Sequence, residues 1–189
     1  MRFAAVLAAP HAAAPPGVDP EAYRDALFED VYEVIHALDL VRPAVAAPAE
    51  LADLAESVIW PGTPVVVAAT PLDALRGLER LGATEAVVVA PDAPDLPGLI
   101  LGKLFRALGS RDVAVSPAAG GGLVALAARL PLPSWLPEIA FDDPEALDVL
   151  RKAGPVFKSP GWHRLRTPGD VHLLDPGLEG WDNTRALLS

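Results

Sequence analysis

AVVVAPDAPDLPG, residues Ala86–Gly98, is the stretch that decides the fold. Ala86–Ala90 is apolar at consecutive positions, as in a strand covered on both faces, which is the habit of parallel sheets. Pro91 stops the run, and Asp92 and Asp95 follow among prolines, so the chain turns where the strand ends. Working outward, Phe3–Ala8, Val41–Ala46, Val65–Ala68 and Val113–Ser116 are short apolar runs of the same kind. Helix signals lie between them. Asp19-Pro20 puts an N-cap before a first-turn proline, and Tyr23, Leu27, Val31, Val34, Ile35 and Leu38 follow at helical spacing. Asp143-Pro144 repeats the device, with Gly154 as the stop. Strands alternating with helices predict an α/β fold, a Rossmann-like three-layer α/β/α domain on a mostly parallel mixed sheet. Ligands in such sheets bind outside the carboxyl ends of the strands, which places Pro91–Pro97 and Ala118–Gly122 at the expected site.

The 189 residues are of single-domain length and 51% hydrophobic, so a large core is within reach. Aromatics make up only 6%, leaving alanine, leucine and valine to fill it. With no cysteine there is no disulfide framework, thiolate metal site or cysteine nucleophile. A net charge of −10 argues against nucleic acid as a partner, since that needs a basic face. No run approaches the roughly 20 apolar residues of a membrane helix. Arg2 and FAAVLAAP have the charge and short apolar run of a secretory leader, but the run is minimal, and a buried first strand in a cytoplasmic protein is the preferred reading.

Asp92, at a strand exit, is the candidate metal ligand: Mg²⁺ favours hard oxygens and bridges nucleotide phosphates. The ordinary alternative is turn chemistry, with Asp95 as N-cap of a helix starting near Leu96. Gly120, Gly121 and Gly122 precede another apolar run, Leu123–Ala128, and then the proline-rich PLPSWLP. The histidines, His11, His36, His163 and His172, are scattered without metal-ligand spacing. Trp135, Trp162 and Trp181 read as covers of core edges.

In order and spacing, the Asp-x-Pro-Asp-Leu turn of Asp92–Leu96, the segment Pro117-Ala118-x-x-Gly121-Gly122, and RTPGDVHLL (Arg166–Leu174) resemble the nucleotide-diphospho-sugar transferases of glycosyltransferase-A type. Within them the chain resembles in particular a bacterial glycosyltransferase-like branch related to 2-phospho-lactate guanylyltransferase. The resemblance implies a domain over residues 1–174 that binds a nucleotide, nucleotide sugar or phosphate, with Asp92 as the metal-binding aspartate. It also implies a substrate loop at Pro117–Gly122, and a closing element in which Thr167 and Asp170 form a capping box.

The departures from that family are as informative. Its first loop carries Lys-Thr-Arg, where this chain reads HAAAPPGVDPEAY and offers no cation before Arg24. Its substrate-loop aspartate is Gly120 here, and the acidic pair that completes its metal site is replaced by Arg164 and Arg166. Nucleotidyl and glycosyl transfer depend on metal ions and fixed cations to neutralise phosphate. These losses predict a degenerate active site. The alternatives are an active Mg-dependent nucleotidyltransferase or glycosyltransferase using Asp92, and a non-catalytic protein-interaction domain. No acidic residue occurs between Asp148 and Asp170, a basic stretch in an acidic protein. If Arg164 and Arg166 project from a final strand they point one way and meet a phosphate directly; otherwise they form ion pairs with Asp142 and Asp143. The remaining residues, 175–189, carry Leu178, Trp181, Leu187 and Leu188, predicting a tail that packs on the domain or on a second subunit, as in a homodimer.

Overall fold

The computed structural model describes all residues, 1–189. Its strands are β1 (Arg2–Leu7), β2 (Arg42–Ala47), β3 (Val65–Val67), β4 (Glu85–Val89), β5 (Val113–Pro117), β6 (Leu123–Arg129) and β7 (Val156–Lys158). They form one sheet in the order β3-β2-β1-β4-β6-β5-β7. β6 runs antiparallel to β4 and β5, and every other neighbouring pair is parallel. The helices are α1 (Pro20–His36), α2 (Ala52–Val58), α3 (Pro71–Arg80), α4 (Gly98–Ala107), α5 (Ala146–Ala153) and α6 (Asp182–Leu188).

Both faces of the sheet are covered, as the uninterrupted apolar runs require. From β1, Ala4 and Val6 pack with Phe28, Val31, Tyr32 and Ile35 of α1 and with Leu101 and Leu104 of α4. Phe3, Ala5 and Leu7 face the other way, toward Leu72, Leu75 and Leu78 of α3 and Leu150 of α5. This alternation makes three layers from one strand's side-chain period. Asp19 caps α1 by accepting from the Ala22 N–H at 2.8 Å, and Thr70 does the same for α3 through the Asp73 N–H at 3.1 Å. No helix is long and apolar enough to cross a membrane.

Several sequence expectations need correction. Leu123–Ala128 is the reversed strand β6, placed in the sheet by the glycine turn before it. α4 starts at Gly98 with Pro97 at its N-cap, so Asp95 caps nothing there. α5 starts at Ala146 after Glu145; Asp143 instead accepts from the Glu145 N–H at 2.9 Å. Gly154 does end α5, but its φ is −175°, an extended conformation open to any residue. Glycine is required there because Trp135 packs on it, and a Cβ would lie 2.4 Å from the indole. Arg164 and Arg166 are not on a strand: residues 159–166 run extended past the carboxyl edge, with a single bridge between Ala118 and Trp162.

The turn joining β5 to β6 requires glycine for its backbone conformation as well as for space. Gly120, Gly121 and Gly122 have φ of +80°, +102° and +79°. A Cβ on Gly122 would fall 2.3 Å from the Phe141 carbonyl oxygen. Gly17, at φ +86°, has open space around it. Gly122→Ala is therefore expected to cost about 3 kcal/mol, from backbone strain plus collision, whereas Gly17→Ala costs about 1 kcal/mol from strain alone. Urea unfolding of the two variants measures the difference.

Candidate functional site

Four segments meet at the carboxyl edge of the sheet: the loop after β1, the turn after β4, the β5–β6 turn, and the extended strap of residues 159–166. The strap is fastened by its backbone. The Trp162 N–H donates to the Pro117 carbonyl at 3.1 Å, the Ala119 N–H to the Trp162 carbonyl at 2.9 Å, and the Leu165 N–H to the Asp92 carbonyl at 2.8 Å. Asp92 and residue 165 are thereby in register, and the arginine beside Leu165 lies against the Asp92 side chain.

Arg164 is 6% exposed. Its Nε donates to Asp92 Oδ1 at 2.6 Å and its Nη2 to Asp92 Oδ2 at 2.9 Å, a bidentate fork. Nη1 donates to the carbonyls of Phe141 at 3.1 Å and Leu123 at 3.3 Å, and lies 2.8 Å from Asp142 Oδ1. Burial alone would disfavour its charge, but Asp92 and Asp142 outweigh that and hold the guanidinium more firmly protonated than usual. Of the ion pairs expected for the basic stretch, Asp142 is a partner and Asp143 is not.

Arg166 has a different task. Its Nη1 donates to the Gly121 carbonyl at 3.0 Å and its Nη2 to the Ala119 carbonyl at 2.7 Å. Positive φ through Gly120–Gly122 turns these carbonyls outward, and the arginine gathers them. Asp170 accepts from the backbone N–H groups of Arg166, at 2.9 Å, and Thr167, at 2.7 Å, which sets the entry to the 3₁₀ turn Pro168–Leu173.

A cavity of about 470 Å³ opens above this layer. Asp92, Asp142, Arg164 and Arg166 line its base, and its walls come from His11, Ala12 and Ala13 of the β1–α1 loop, Arg24 and Phe28 of α1, and Leu54 of α2. The volume lies in the range of small-molecule sites, about 300–1,000 Å³. Arg24 was invisible to loop-based reasoning because it stands one turn inside α1. Its Nη1 donates to the Pro10 carbonyl at 3.4 Å, bringing a cation back to the loop that lacks one, while Asp25 pairs with its Nε at 2.8 Å. Below the cavity Tyr23 is fully buried with no partner for its hydroxyl, and burial, then Asp92 and Asp170, push its pKa up to about 12.

The other sequence candidates lie elsewhere. Gly120, Gly121 and Gly122 do not line the cavity; they support Arg166 from behind. Asp95 is buried beneath the strap, where its Oδ1 accepts from Trp162 Nε1 at 2.9 Å and lies 2.9 Å from His163 Nε2. His163, unremarkable by spacing, is thus placed by a residue 68 positions away in the chain.

A divalent ion at Asp92 does not suit this donor set. Both Asp92 oxygens already accept from Arg164, Asp95 and Asp170 are engaged with other donors, and no group of three or more acidic or histidine side chains converges anywhere. A carboxylate that satisfies a buried guanidinium has no favourable way to leave it for an ion.

No family model matches the sequence, and no curated protein matches it. Solved structures do match over nearly the whole chain. A candidate nucleotide-diphospho-sugar transferase from Desulfovibrio desulfuricans superimposes with TM-score 0.68 at 16% identity, over 99% of this chain and 96% of that one. CMP:2-keto-3-deoxy-manno-octonic acid synthetase, complexed with CTP, gives 0.61 at 13% over 90% and 95%. Rv0371c from Mycobacterium tuberculosis, in complex with manganese, gives 0.54 at 20% over 99% and 97%. The chain has the fold of the nucleotide-diphospho-sugar transferases and nucleotidyltransferases. The narrower likeness to guanylyltransferase relatives rests on the sequence motifs alone.

Asp95 gives the strap over it a pH signature. Burial raises its pKa, but His163, Trp162 and the Asp175 N–H outweigh burial and leave it below the usual carboxylate value. A depressed carboxylate stabilises the fold above its unfolded pKa, about 3.9, and that contribution disappears as pH falls through the folded value. Asp95→Asn is therefore expected to lower stability at pH 7 and to flatten its decline below about pH 4, read by urea unfolding at a series of pH values.

Proposed function

We propose that the chain binds an anionic small molecule, a nucleotide, nucleotide sugar or sugar phosphate, in the cavity at the carboxyl edge of the sheet, without a divalent ion. On this reading the active site of a metal-dependent nucleotidyl or glycosyl transferase is degenerate here. The observation that carries it is the closure of Asp92 by Arg164. The neighbour solved with CTP supports nucleotide as the ligand class, and the neighbour solved with manganese supplies the contrast.

The physical case rests on charge and volume. Arg164 cancels Asp92 and Arg24 is paired with Asp25, leaving Arg166 as the lining arginine without an ion-pair partner, with His11 also lining the cavity. Arg166 spends one N–H of each terminal nitrogen on the glycine turn and keeps the others for a phosphate oxygen. Ala12, Ala13 and Leu54 leave room along one wall for a flat or sugar-like group. If the chain is catalytic, its chemistry is transfer, with transition-state charge met by arginine rather than by an ion.

Thermal unfolding against nucleoside triphosphates and nucleotide sugars, each with Mg²⁺ and with chelator, tests this. The expected result is a rise in Tm that chelator does not abolish. In Arg166→Ala, affinity for the same ligand should fall about 10- to 100-fold, the size of a lost charged hydrogen bond. A shift that requires Mg²⁺ and vanishes in Asp92→Ala would instead favour the active metal-dependent transferase. No shift with any anion would overturn the proposal and favour a protein-interaction role.

A further inference from the structure

The base of the cavity carries two unmatched charges of opposite sign. Arg164 stands between two carboxylates, Asp92 and Asp142, and one guanidinium neutralises only one of them. Asp92, the more buried, takes the bidentate fork. Asp142 is held through Oδ1 alone, at 2.8 Å, and its side chain is 76% exposed where it lines the cavity. Its charge is the one left over, with Oδ2 available to a ligand.

Arg166 is the opposite case. It lines the same base, and its two terminal nitrogens are bound only to main-chain carbonyls. Asp170, close by in sequence, is engaged by the main-chain N–H groups of Arg166 and Thr167, while the charge of Arg24 is met by Asp25 at 2.7 Å. The β5–β6 turn fixes the two unmatched groups relative to each other. Arg166 grips its Ala119 and Gly121 carbonyls, and at its far end the Leu123 N–H donates at 2.9 Å to the carbonyl of Phe141, the residue before Asp142.

We infer that the cavity takes a zwitterionic phosphate ester: a single phosphate group on Arg166 and an ammonium group on Asp142, carried by a body the size of a sugar. This rests on the anion-binding reading above and narrows its ligand class. A nucleoside triphosphate without a metal ion brings several negative charges to a base with one unmatched cation, and Asp142 meets them as a like charge. A neutral sugar phosphate satisfies Arg166 but leaves Asp142 without a counter-charge as water is displaced from it. An ammonium brings three donors to that carboxylate, and the remaining N–H groups of Arg166 suit the oxygens of one phosphate.

Isothermal titration calorimetry with chelator present tests this, with glucosamine 6-phosphate, glucose 6-phosphate and ATP as probes. The wild type is expected to bind glucosamine 6-phosphate about tenfold more tightly than glucose 6-phosphate, the size of a charged hydrogen bond to a partly exposed group, and to bind ATP more weakly than the amino sugar. In Asp142→Asn the preference for the amine should disappear and ATP should gain affinity. In Asp143→Asn, which removes the same charge from the next residue, outside the cavity lining, the preference should remain. Arg166→Ala should weaken both sugar phosphates. Equal affinity of the wild type for the two sugar phosphates, or a preference that survives Asp142→Asn, overturns the inference and leaves the anion-binding reading standing. Failure of these probes and of nucleotide sugars to bind overturns both.

Discussion

The pairing of Arg164 with Asp92 is the constraint on which the carboxyl edge depends. Taking both charges out of water is expensive, and their attraction compensates only if geometry is good and every remaining donor is used. Here the fork is bidentate and the third nitrogen reaches two carbonyls and a second carboxylate. The partners come from three places in the chain, so the pair cannot form until the sheet has been assembled and the strap laid across it. The order of the edge is then all-or-none: the same contact that neutralises the cavity base also fixes the segments around it.

Arg166, two residues on, shows how the same basic stretch serves a second purpose. The β5–β6 turn needs three consecutive positive φ values, which turns backbone carbonyls outward where nothing in the sheet can receive them. A guanidinium with parallel donors suits two such carbonyls better than the compact ammonium of a lysine would. Glycine at 120, where an acidic residue was expected from the resemblance, and arginine at 166 are therefore one structural solution: a Cβ at Gly120 would lie 3.3 Å from Arg166 Nη2.

The sheet was legible because its signals are local. Apolar runs at β1, β2, β4 and β5, an aspartate before Pro20 and the prolines after β4 each state their structure within a few residues. The reversed strand β6 was not legible, since Leu123–Ala128 has the same apolar character as its parallel neighbours and direction is set by the turn. The site was half legible. Asp92 was marked by where the motif matches its family, and the two arginines by where it departs. Their pairing was not, because it depends on the register between a strap and a turn more than 70 residues apart. Asp95 misled in the opposite sense: its setting among prolines is that of a helix cap, yet it lies buried under Trp162 and His163, which no local pattern joins to it.

One more carboxylate is placed by tertiary structure alone. Asp30, 1% exposed in the middle of α1, accepts from the Asn183 and Thr184 N–H groups at 3.1 and 2.8 Å and from the Asn183 side chain at 3.0 Å. It thus caps the first turn of α6 from a different helix, in the position a serine or aspartate would ordinarily occupy just before it. A seven-residue helix is far below the length that persists alone in water. α6 therefore has no existence apart from α1, and the dependence is mutual: until Asn183 and Thr184 arrive, α1 carries a carboxylate without its donors. The two helices act as a clasp whose halves are each incomplete, so the C-terminal helix is also the part that makes the first helix whole.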